Sequence, residues 1–294
     1  MFNPGFIFAD YYVPSGIDPD AQAFLTATGI TDATITSAIN NLVLDLKNYN
    51  LWNKCDAIYP MVGGTLTTSK YNLKNPQDTD AAFRLTVHNA GGGGGIFTYT
   101  NGINKTNGAI GSGTAYLRTH YNPNSSAISM AHSSIHLSWY EAYSQTNPTF
   151  IDNNNGQIGI ITPNATYIMN SYYGGSVTPY RIVAVNVNSV QFNAVSALDP
   201  GTGLWITTRI NSSSSKLYKN GNLEYTYNDS ENSGLSTSEI ILFGISQNSS
   251  GGPWGGIKNS TCRFASFGAG FNATESQNFN TAVQTFQTTL GRQV

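Results

Sequence analysis

The stretch Lys216–Tyr227, KLYKNGNLEYTY, places an Asn-Gly pair between two short runs of Leu and Tyr. Both residues adopt positive φ at low cost, and a two-residue loop of this kind is the strongest local signal for a β-hairpin. Tyr and Leu suit the half-buried surface of a pleated sheet. The stretch therefore predicts two antiparallel strands joined by a tight turn at Asn220 and Gly221.

The same alternation of short strands and turns extends from about residue 61 towards the C-terminus. Leu204, Ile206, Thr208 and Ile210 alternate with a period of two, as in a strand with one buried face. Further strand candidates are AAFRLTVHN, TAYLRTHYN, SIHLSWYEAYS, GQIGIITP, ATYIMNSYY, YRIVAVNVNSVQFNAV, SEIILFGISQ and CRFASFGAG. Because no helical pattern separates these candidates, we expect an antiparallel sandwich or barrel rather than βαβ units.

A helical pattern precedes the strands. Ile35, Ile39, Leu42 and Leu46 recur at spacings of four and three, and Thr31 or Asp32 can cap the helix. We expect a helical segment over residues 20–60 whose apolar face packs on the β domain. Residues 1–19 are aromatic and irregular, and we expect an N-terminal arm that packs on a partner chain or a larger body.

A second helical pattern ends the chain. Asn272 followed by Glu275 is a capping-box-like pair, and Phe279, Val283 and Phe286 then line one face. We expect an amphipathic C-terminal helix packed on the sandwich. The predicted domains are therefore the arm at 1–19, the helical segment at 20–60 and the sandwich with its helix at 61–294.

Charge and apolar composition limit the function classes. Of the 294 residues 10% are charged, and the net charge is -2, so neither nucleic acid nor an anionic membrane is an expected partner. No apolar run is long enough to insert into a membrane, and the amino terminus lacks the pattern of an export signal. Cys55 and Cys262 form neither a disulfide framework nor a metal spacing; they are a single pair or two buried thiols.

The segment Gly203–Leu290 resembles the concanavalin A-like lectin/glucanase superfamily, and within it the laminin-G-like jelly rolls. The residues that carry the resemblance are the hairpin at Lys216–Tyr227, SEIILFGIS at Ser238–Ser246 and the strand-to-helix run from Cys262. The helical segment and NLKNPQDTDAAFRLT (Asn72–Thr86) are similar to a module of phage and other virion structural proteins. The resemblance implies a two-sheet antiparallel jelly-roll sandwich, a surface location and frequent glycan recognition, but no activity.

The carboxylates argue against hydrolysis. Glucanases of that superfamily carry paired acidic residues two apart on one strand, which gives the carboxyl separation of a retaining mechanism. The five glutamates of this chain are isolated from one another. They are Glu141, Glu224, Glu231, Glu239 and Glu275. We therefore expect a protein that is not an enzyme, and a glycoside hydrolase is the least favoured alternative.

One pair of aspartates, Asp78 and Asp80 in NPQDTDAAF, offers oxygen ligands of the type that Ca²⁺ prefers. The same pattern is typical of a turn in which Asp caps backbone N–H groups. We expect the second arrangement, and the sequence predicts no metal and no cofactor.

Trp254 is a large apolar ring in the small, polar loop SQNSSGGPWGGIKNS. With Asn248 and Asn259 it has the mixture of aromatic and amide groups found in sugar sites, and so has the Tyr172-Tyr173 pair. The alternative is that Trp254 closes the core or a subunit contact, and this interpretation is preferred.

These patterns together favour a non-enzymatic virion surface protein of the phage tail, head-fibre or decoration type. We expect a homo-oligomer that contacts other virion proteins, with a possible glycan-binding face directed at a cell surface. The missing export signal favours a virion over a secreted location. The alternative is a secreted, lectin-like carbohydrate-binding module.

Overall fold

The computed structural model describes residues 16–90, 96–106, 114–142, 155–162, 165–174, 179–187, 191–194, 201–231, 234–247, 252–255 and 260–294. Within these residues the chain is mainly β, with antiparallel strand pairing throughout except for one parallel pair. This confirms the predicted fold class at the level of a mainly β, antiparallel protein with few helices.

The helices are α1 Pro19–Thr28, α2 Ala33–Asn48, α3 Leu66–Ser69, α4 Pro123–Ser126 and α5 Ala273–Thr289. The strands of the first half are β1 Cys55–Tyr59, β2 Thr86–Ala90, β3 Ile96–Thr98, β4 Ile103–Thr106, β5 Thr114–Arg118 and β6 Ile135–Glu141. The strands of the middle part are β7 Asn155–Thr162, β8 Ala165–Gly174, β9 Pro179–Val187, β10 Gln191–Ala194 and β11 Gly203–Arg209. The last strands are β12 Ser214–Lys219, β13 Asn222–Asn228, β14 Ile241–Leu242, β15 Ile245–Gln247, β16 Gly252–Gly255 and β17 Ser260–Gly268.

The strands form two sheets in the described part of the chain. The inner sheet has the order β13-β12-β11-β6-β17-β4-β3, and β1 also pairs with β17. The outer sheet has the order β10-β9-β8-β7-β14-β5-β2, with β15 pairing in parallel to β7 and β16 pairing to β15. Most neighbours in these sheets are distant in sequence, so loops from different parts of the chain meet at the sheet ends.

Two apolar cores lie on the two faces of the inner sheet. Leu137 and Trp139 of β6 pack between the sheets with Leu117 and Ile158 of the outer sheet. The next residue of the same strand, Tyr140, belongs to the core on the opposite face, under the helices. Successive side chains of a strand point to opposite faces. Since a core covers each face of β6, all seven of its residues are buried.

The second core joins the inner sheet to α1, α2 and α5. Its helical members include Leu42 and Phe286, which pack with Phe264 of β17. Asp32 caps α2 by accepting a hydrogen bond from Ile35 N at 2.9 Å. The helices thus form a third layer, and they cover the inner sheet on the face turned away from the outer sheet.

Local turn and cap signals have their expected geometry. Asn220 and Gly221 lie between β12 and β13 with φ of 48° and 79°, the positive values that a two-residue hairpin turn requires. Asn272 and Glu275 form a capping box at the start of α5, with bonds of 2.9 and 2.8 Å.

The segment 20–60 differs from its helical prediction at its end. Cys55–Tyr59 is a strand, β1, and it pairs with β17 of the inner sheet. All five residues are buried, so the run lacks the alternation that marks a strand with one exposed face. No helix among the described residues is long and apolar enough to cross a membrane.

Both cysteines are free and buried. Cys55 pairs with Gly268 in the register of β1 and β17, six positions along β17 from Cys262, or roughly 20 Å of strand. A disulfide spans less than ~7 Å between Cα atoms, so the two residues are two buried thiols. Burial raises the pKa of the Cys55 thiol to about 12, which keeps it protonated at neutral pH.

Candidate functional site

The aromatic residues predicted as sugar platforms lie on different strands of the outer sheet. Tyr172 of β8 pairs with Asn155 at the start of β7, whereas β16, which carries Trp254, reaches β7 through β15 at Ile160. Three strand spacings and five residues of strand separate the two positions, which amounts to roughly 20 Å. The register does not bring Trp254 and the Tyr172-Tyr173 pair into one site.

The side chains of Trp254, Tyr172 and Tyr173 lie outside the described part of the structure, and so do Asn248 and Asn259 entirely. Their predicted role in ligand contact therefore stays a prediction, as does the alternative that Trp254 fills a core or subunit contact.

The candidate Ca²⁺ ligands are engaged by cations. Asp78 accepts from Lys70 Nζ at 2.6 Å and from Arg84 Nη1 at 2.6 Å, and Asp80 accepts from Arg84 Nε at 3.0 Å. The bonds from Lys70 and Arg84 lower the pKa of Asp78. The carboxylates thus bind basic side chains rather than the backbone N–H groups expected from the turn pattern, because Lys70 and Arg84 lie close in space. Among the described residues no group of three His, Cys, Asp or Glu side chains is placed to hold a metal.

His120 lies beside Thr86 and Asp80, a composition that invites comparison with a nucleophile–His–Asp triad. Its Nε2 is 2.8 Å from Thr86 Oγ1 and 3.5 Å from Asp80 Oδ1. A triad needs the nucleophile on one ring nitrogen and the carboxylate on the other. Here the same nitrogen faces both groups, so the arrangement is not that of an activated nucleophile.

In the described part of the chain, two carboxylates are fully buried, but both are saturated with hydrogen bonds. Asp56 accepts from the backbone N–H groups of Ile128 and Ser129 and from the hydroxyl of Tyr121. Glu141 accepts from Trp139 Nε1 at 3.2 Å and from Thr261 N at 2.9 Å. Buried carboxylates with this many donors organise the fold around them. Each is only 1% exposed, so neither is open to a substrate.

A surface cleft of about 420 Å³ is the candidate site that the described residues support. Four segments meet around it: the first turn of α2, the turn at 61–64, the loop at 99–102 between β3 and β4, and the chain after α5. The lining residues are Asp32, Thr34, Ile35, Met61, Val62, Gly63, Gly64, Tyr99, Thr100, Asn101, Gly102, Leu290 and Arg292.

The loop at 99–102 has its shape because of a second Asn-Gly pair. Asn101 and Gly102 have φ of 56° and 123°, which only residues tolerant of positive φ adopt without strain. A Cβ on Gly102 would lie 2.5 Å from the carbonyl oxygen of Cys262. Glycine therefore lets the loop approach β17 closely, and this places Tyr99 and Asn101 on the cleft.

The cleft combines an aromatic ring with hydrogen-bonding groups and an aliphatic wall. Tyr99 is half-buried, and desolvation raises the pKa of its hydroxyl. Thr34, Thr100 and Asn101 are exposed. Asp32, also exposed, uses one carboxylate oxygen to cap α2. The apolar wall consists of Ile35, Met61, Val62 and Leu290.

Arg292 is a buried cleft residue with 5% exposure. Its guanidinium donates to Met61 O at 2.7 Å, to Pro60 O at 3.1 Å and to Gln287 Oε1 at 3.0 Å. A fourth bond reaches Arg263 O at 3.1 Å. Burial and the neighbouring charge of Arg263 lower the pKa of Arg292 to about 9, so it is a cation at neutral pH.

Comparisons with known proteins give no family. No protein-family profile matches the chain, and no curated protein matches its sequence. The receptor-binding domain of botulinum neurotoxin D is similar in structure with a TM-score of 0.48 and 11% identity, covering 79% of this chain and 53% of that one. The binding domain of botulinum neurotoxin DC in complex with rat synaptotagmin II has a TM-score of 0.46 and 13% identity, with coverages of 79% and 52%. This chain thus spans about half the length of the toxin domains.

Domain 4 of AbnA, a GH43 extracellular arabinanase from Geobacillus stearothermophilus, in complex with arabinotriose, has a TM-score of 0.46 and 12% identity. The match covers 77% of this chain and 98% of that domain. At these TM-scores the structural similarities carry no argument about function.

Proposed function

We propose that the protein is a non-enzymatic surface protein that binds saccharides in the cleft between α2, the β3–β4 loop and the chain after α5. One observation carries the proposal. The Tyr99 ring lines a cleft of about 420 Å³ together with the polar groups of Asp32, Thr34, Thr100 and Asn101. An aromatic face packs on the C–H face of a pyranose ring, while amides, hydroxyls and carboxylates bond its hydroxyl groups.

The size of the cleft fits this ligand class. Small-molecule sites have volumes of about 300–1,000 Å³ and combine an apolar wall with a few placed polar groups. The aliphatic side of Ile35, Val62 and Leu290 supplies such a wall opposite the polar loop residues. A short saccharide unit fills a volume of this order.

Binding without hydrolysis is supported by the carboxylates. Hydrolysis of a glycosidic bond requires a pair of carboxyl groups about 5–10 Å apart. Asp32 is the one carboxylate among the residues that line the cleft in the described part of the chain. One of its oxygens already accepts from Ile35 N, which favours a binding role over an acid–base role.

The finer parts of the proposal come from the sequence. They are a concanavalin A-like jelly-roll type, assembly as a homo-oligomer, and a place on a virion of the phage tail, head-fibre or decoration type. The alternative remains a secreted carbohydrate-binding module. Saccharide binding in the cleft is common to both, so a test of the cleft comes first.

The test replaces Tyr99 with leucine, which keeps apolar bulk for the core contact and removes the aromatic face. After a glycan array has identified a binder, Tyr99→Leu should weaken its affinity at least ten-fold in calorimetry, since stacking on an aromatic ring contributes about 1–3 kcal/mol by analogy with nucleic-acid bases. Tyr225→Ala is the matched control. Tyr225 is 45% exposed on β13, at the opposite edge of the inner sheet from β3.

The control should bind as the wild type does, and circular dichroism should show the same fold for all three proteins. A binder whose affinity is unchanged by Tyr99→Leu would place the site elsewhere. An array on which no saccharide binds would reject the proposal.

A further inference from the structure

The charge of Arg292 lacks a carboxylate partner in the described part of the chain. Its four hydrogen bonds end on three backbone carbonyls and one side-chain amide, all of them neutral acceptors. A buried cation is costly unless an anion neutralises it. Arg292 nevertheless lies on the wall of an open cleft, where a ligand can supply that anion.

One N–H of Arg292 has no acceptor among the described residues. A guanidinium has five N–H groups. Nε donates once, Nη2 donates twice, to Pro60 O and Arg263 O, and Nη1 donates once, to Met61 O. The second N–H of Nη1 is therefore available for a single charge-assisted hydrogen bond to a ligand, the kind that is shorter and stronger than a neutral one.

A second guanidinium adds to the positive charge. Arg263 donates to the carbonyl oxygens of Asn101, at 3.2 Å, and of Arg292. Burial lowers the pKa of Arg263, and its charge contributes to the lowered pKa of Arg292. Because the charge of Glu141 offsets part of the Arg263 charge, an anion placed in the cleft acts mainly on Arg292.

The N-terminus of α2 also adds positive electrostatic potential at the cleft, whereas the carboxylate of Asp32 adds negative charge there. The 16-residue helix has its N-terminus at the cleft, and the positive end of the helix dipole favours an anion there. Asp32 carries a negative charge, but it is exposed whereas Arg292 is buried. The cleft thus combines a buried cation, Arg292, with an exposed carboxylate, Asp32.

We propose that the cleft selects a saccharide that carries a carboxylate, with Arg292 as the charge partner of that carboxylate. The proposal rests on the saccharide-binding function proposed above and names its ligand class. In this arrangement the sugar ring lies against Tyr99, and its carboxylate lies against the guanidinium of Arg292.

The test compares matched neutral and acidic saccharides on the wild-type protein by calorimetry. Sialyllactose against lactose tests a sialic acid, and trigalacturonate against its methyl ester tests a uronic acid with nearly unchanged size. We expect the acidic member of at least one pair to bind ten-fold or more tightly than its neutral partner. The difference should decrease with added salt, because screening weakens the charge contribution.

A substitution of Asp32 provides a second readout. Asp32→Asn removes the negative charge while keeping a residue that caps helices as well as Asp does, so the melting temperature should not change. The ratio of the affinity for the acidic saccharide to the affinity for its neutral partner should then increase several-fold, because the Asp32 carboxylate repels only the acidic member. An unchanged or smaller ratio would count against the proposal.

The two proposals fail in distinguishable ways. Equal or tighter binding of both neutral members, with loss in Tyr99→Leu, would overturn the acidic preference and leave saccharide binding in place. No binding of any saccharide would overturn both.

Discussion

His136 shows how single buried polar residues are accommodated in this fold. It lies on β6 on the helix side of the inner sheet, where its ring stacks on Phe271 with centroids 3.9 Å apart. Nδ1 lies 2.6 Å from Ala269 O and Nε2 lies 3.1 Å from Ser266 Oγ. Since a carbonyl only accepts, Nδ1 carries the proton and Nε2 accepts from the serine hydroxyl. The neutral imidazole is thus fully hydrogen-bonded in the core.

This environment predicts a loss of stability in acid. Burial lowers the pKa of His136 to about 4, below the value of about 6.5 in an unfolded chain. Between these two values the unfolded state binds a proton that the folded state does not, so the free energy of unfolding falls as the pH falls from about 6.5 to about 4, by about 3 kcal/mol in all. Above pH 6.5 the contribution is constant.

Urea denaturation at several pH values measures this dependence. In His136→Gln, which does not titrate, the slope between pH 4 and pH 6.5 should be smaller than in the wild type, although the variant is less stable at neutral pH. His132→Gln, at an exposed position, controls for the loss of a histidine outside the core. Equal slopes in the wild type and His136→Gln would contradict the assignment.

Among the elements, α5 depends most directly on its aromatic face. Phe286 is 1% exposed and lies 6.3 Å from the ring of Phe264 on β17. Removing a buried phenylalanine side chain costs about 3–5 kcal/mol, so Phe286→Ala should lower the free energy of unfolding by about this amount. Thr285→Ala, one position away on the exposed face, should change it by less than about 0.5 kcal/mol. Equal effects in the two variants would mean that α5 is not packed on the sheet.

Features that depend on sequence neighbours could be predicted from the sequence, and features that depend on distant segments could not. The Asn220-Gly221 turn and the Asn272–Glu275 capping pair involve residues at most three positions apart, and their geometry follows from intrinsic backbone preferences. Strand β1 was missed because it is buried on both faces and has no alternation. The order of strands in the two sheets depends on long-range pairing, for which no local signal exists.

The cleft was missed for the same reason. Its residues range from Asp32 to Arg292, and they belong to four segments that are far apart in the sequence. Asn101-Gly102 carries the same turn signal as Asn220-Gly221 and could have marked the hairpin. The basic residue Arg292, near the C-terminus, has no sequence feature that reveals its burial.

In the whole molecule the inner sheet is shared by both cores. Neighbouring residues of β6 belong to different cores, Trp139 to the one between the sheets and Tyr140 to the one under the helices. Arg209 of β11 adds a polar link between the layers, donating to Val185 O of the outer sheet at 2.7 Å and forming an ion pair with Asp229. If either core unfolds, one face of the inner sheet therefore becomes exposed to solvent. The other core then packs on a sheet that is no longer covered on both faces.

This sharing predicts a single cooperative unfolding transition for the described layers. Leu42→Ala removes volume under the helices, and Leu137→Ala removes it between the sheets. Each should cost about 2–5 kcal/mol and lower the melting temperature by roughly 5–15 °C. Trp139 and Trp205 lie in the core between the sheets, whereas Trp52 lies in the core under the helices. With Trp52 and Trp254 replaced by phenylalanine, tryptophan fluorescence follows the core between the sheets, while far-ultraviolet circular dichroism includes the helices. In both variants the two signals should change at the same temperature. If Leu42→Ala lost its helical signal well before its fluorescence changed, the helices would be an independent layer, and the coupling through the inner sheet would be wrong.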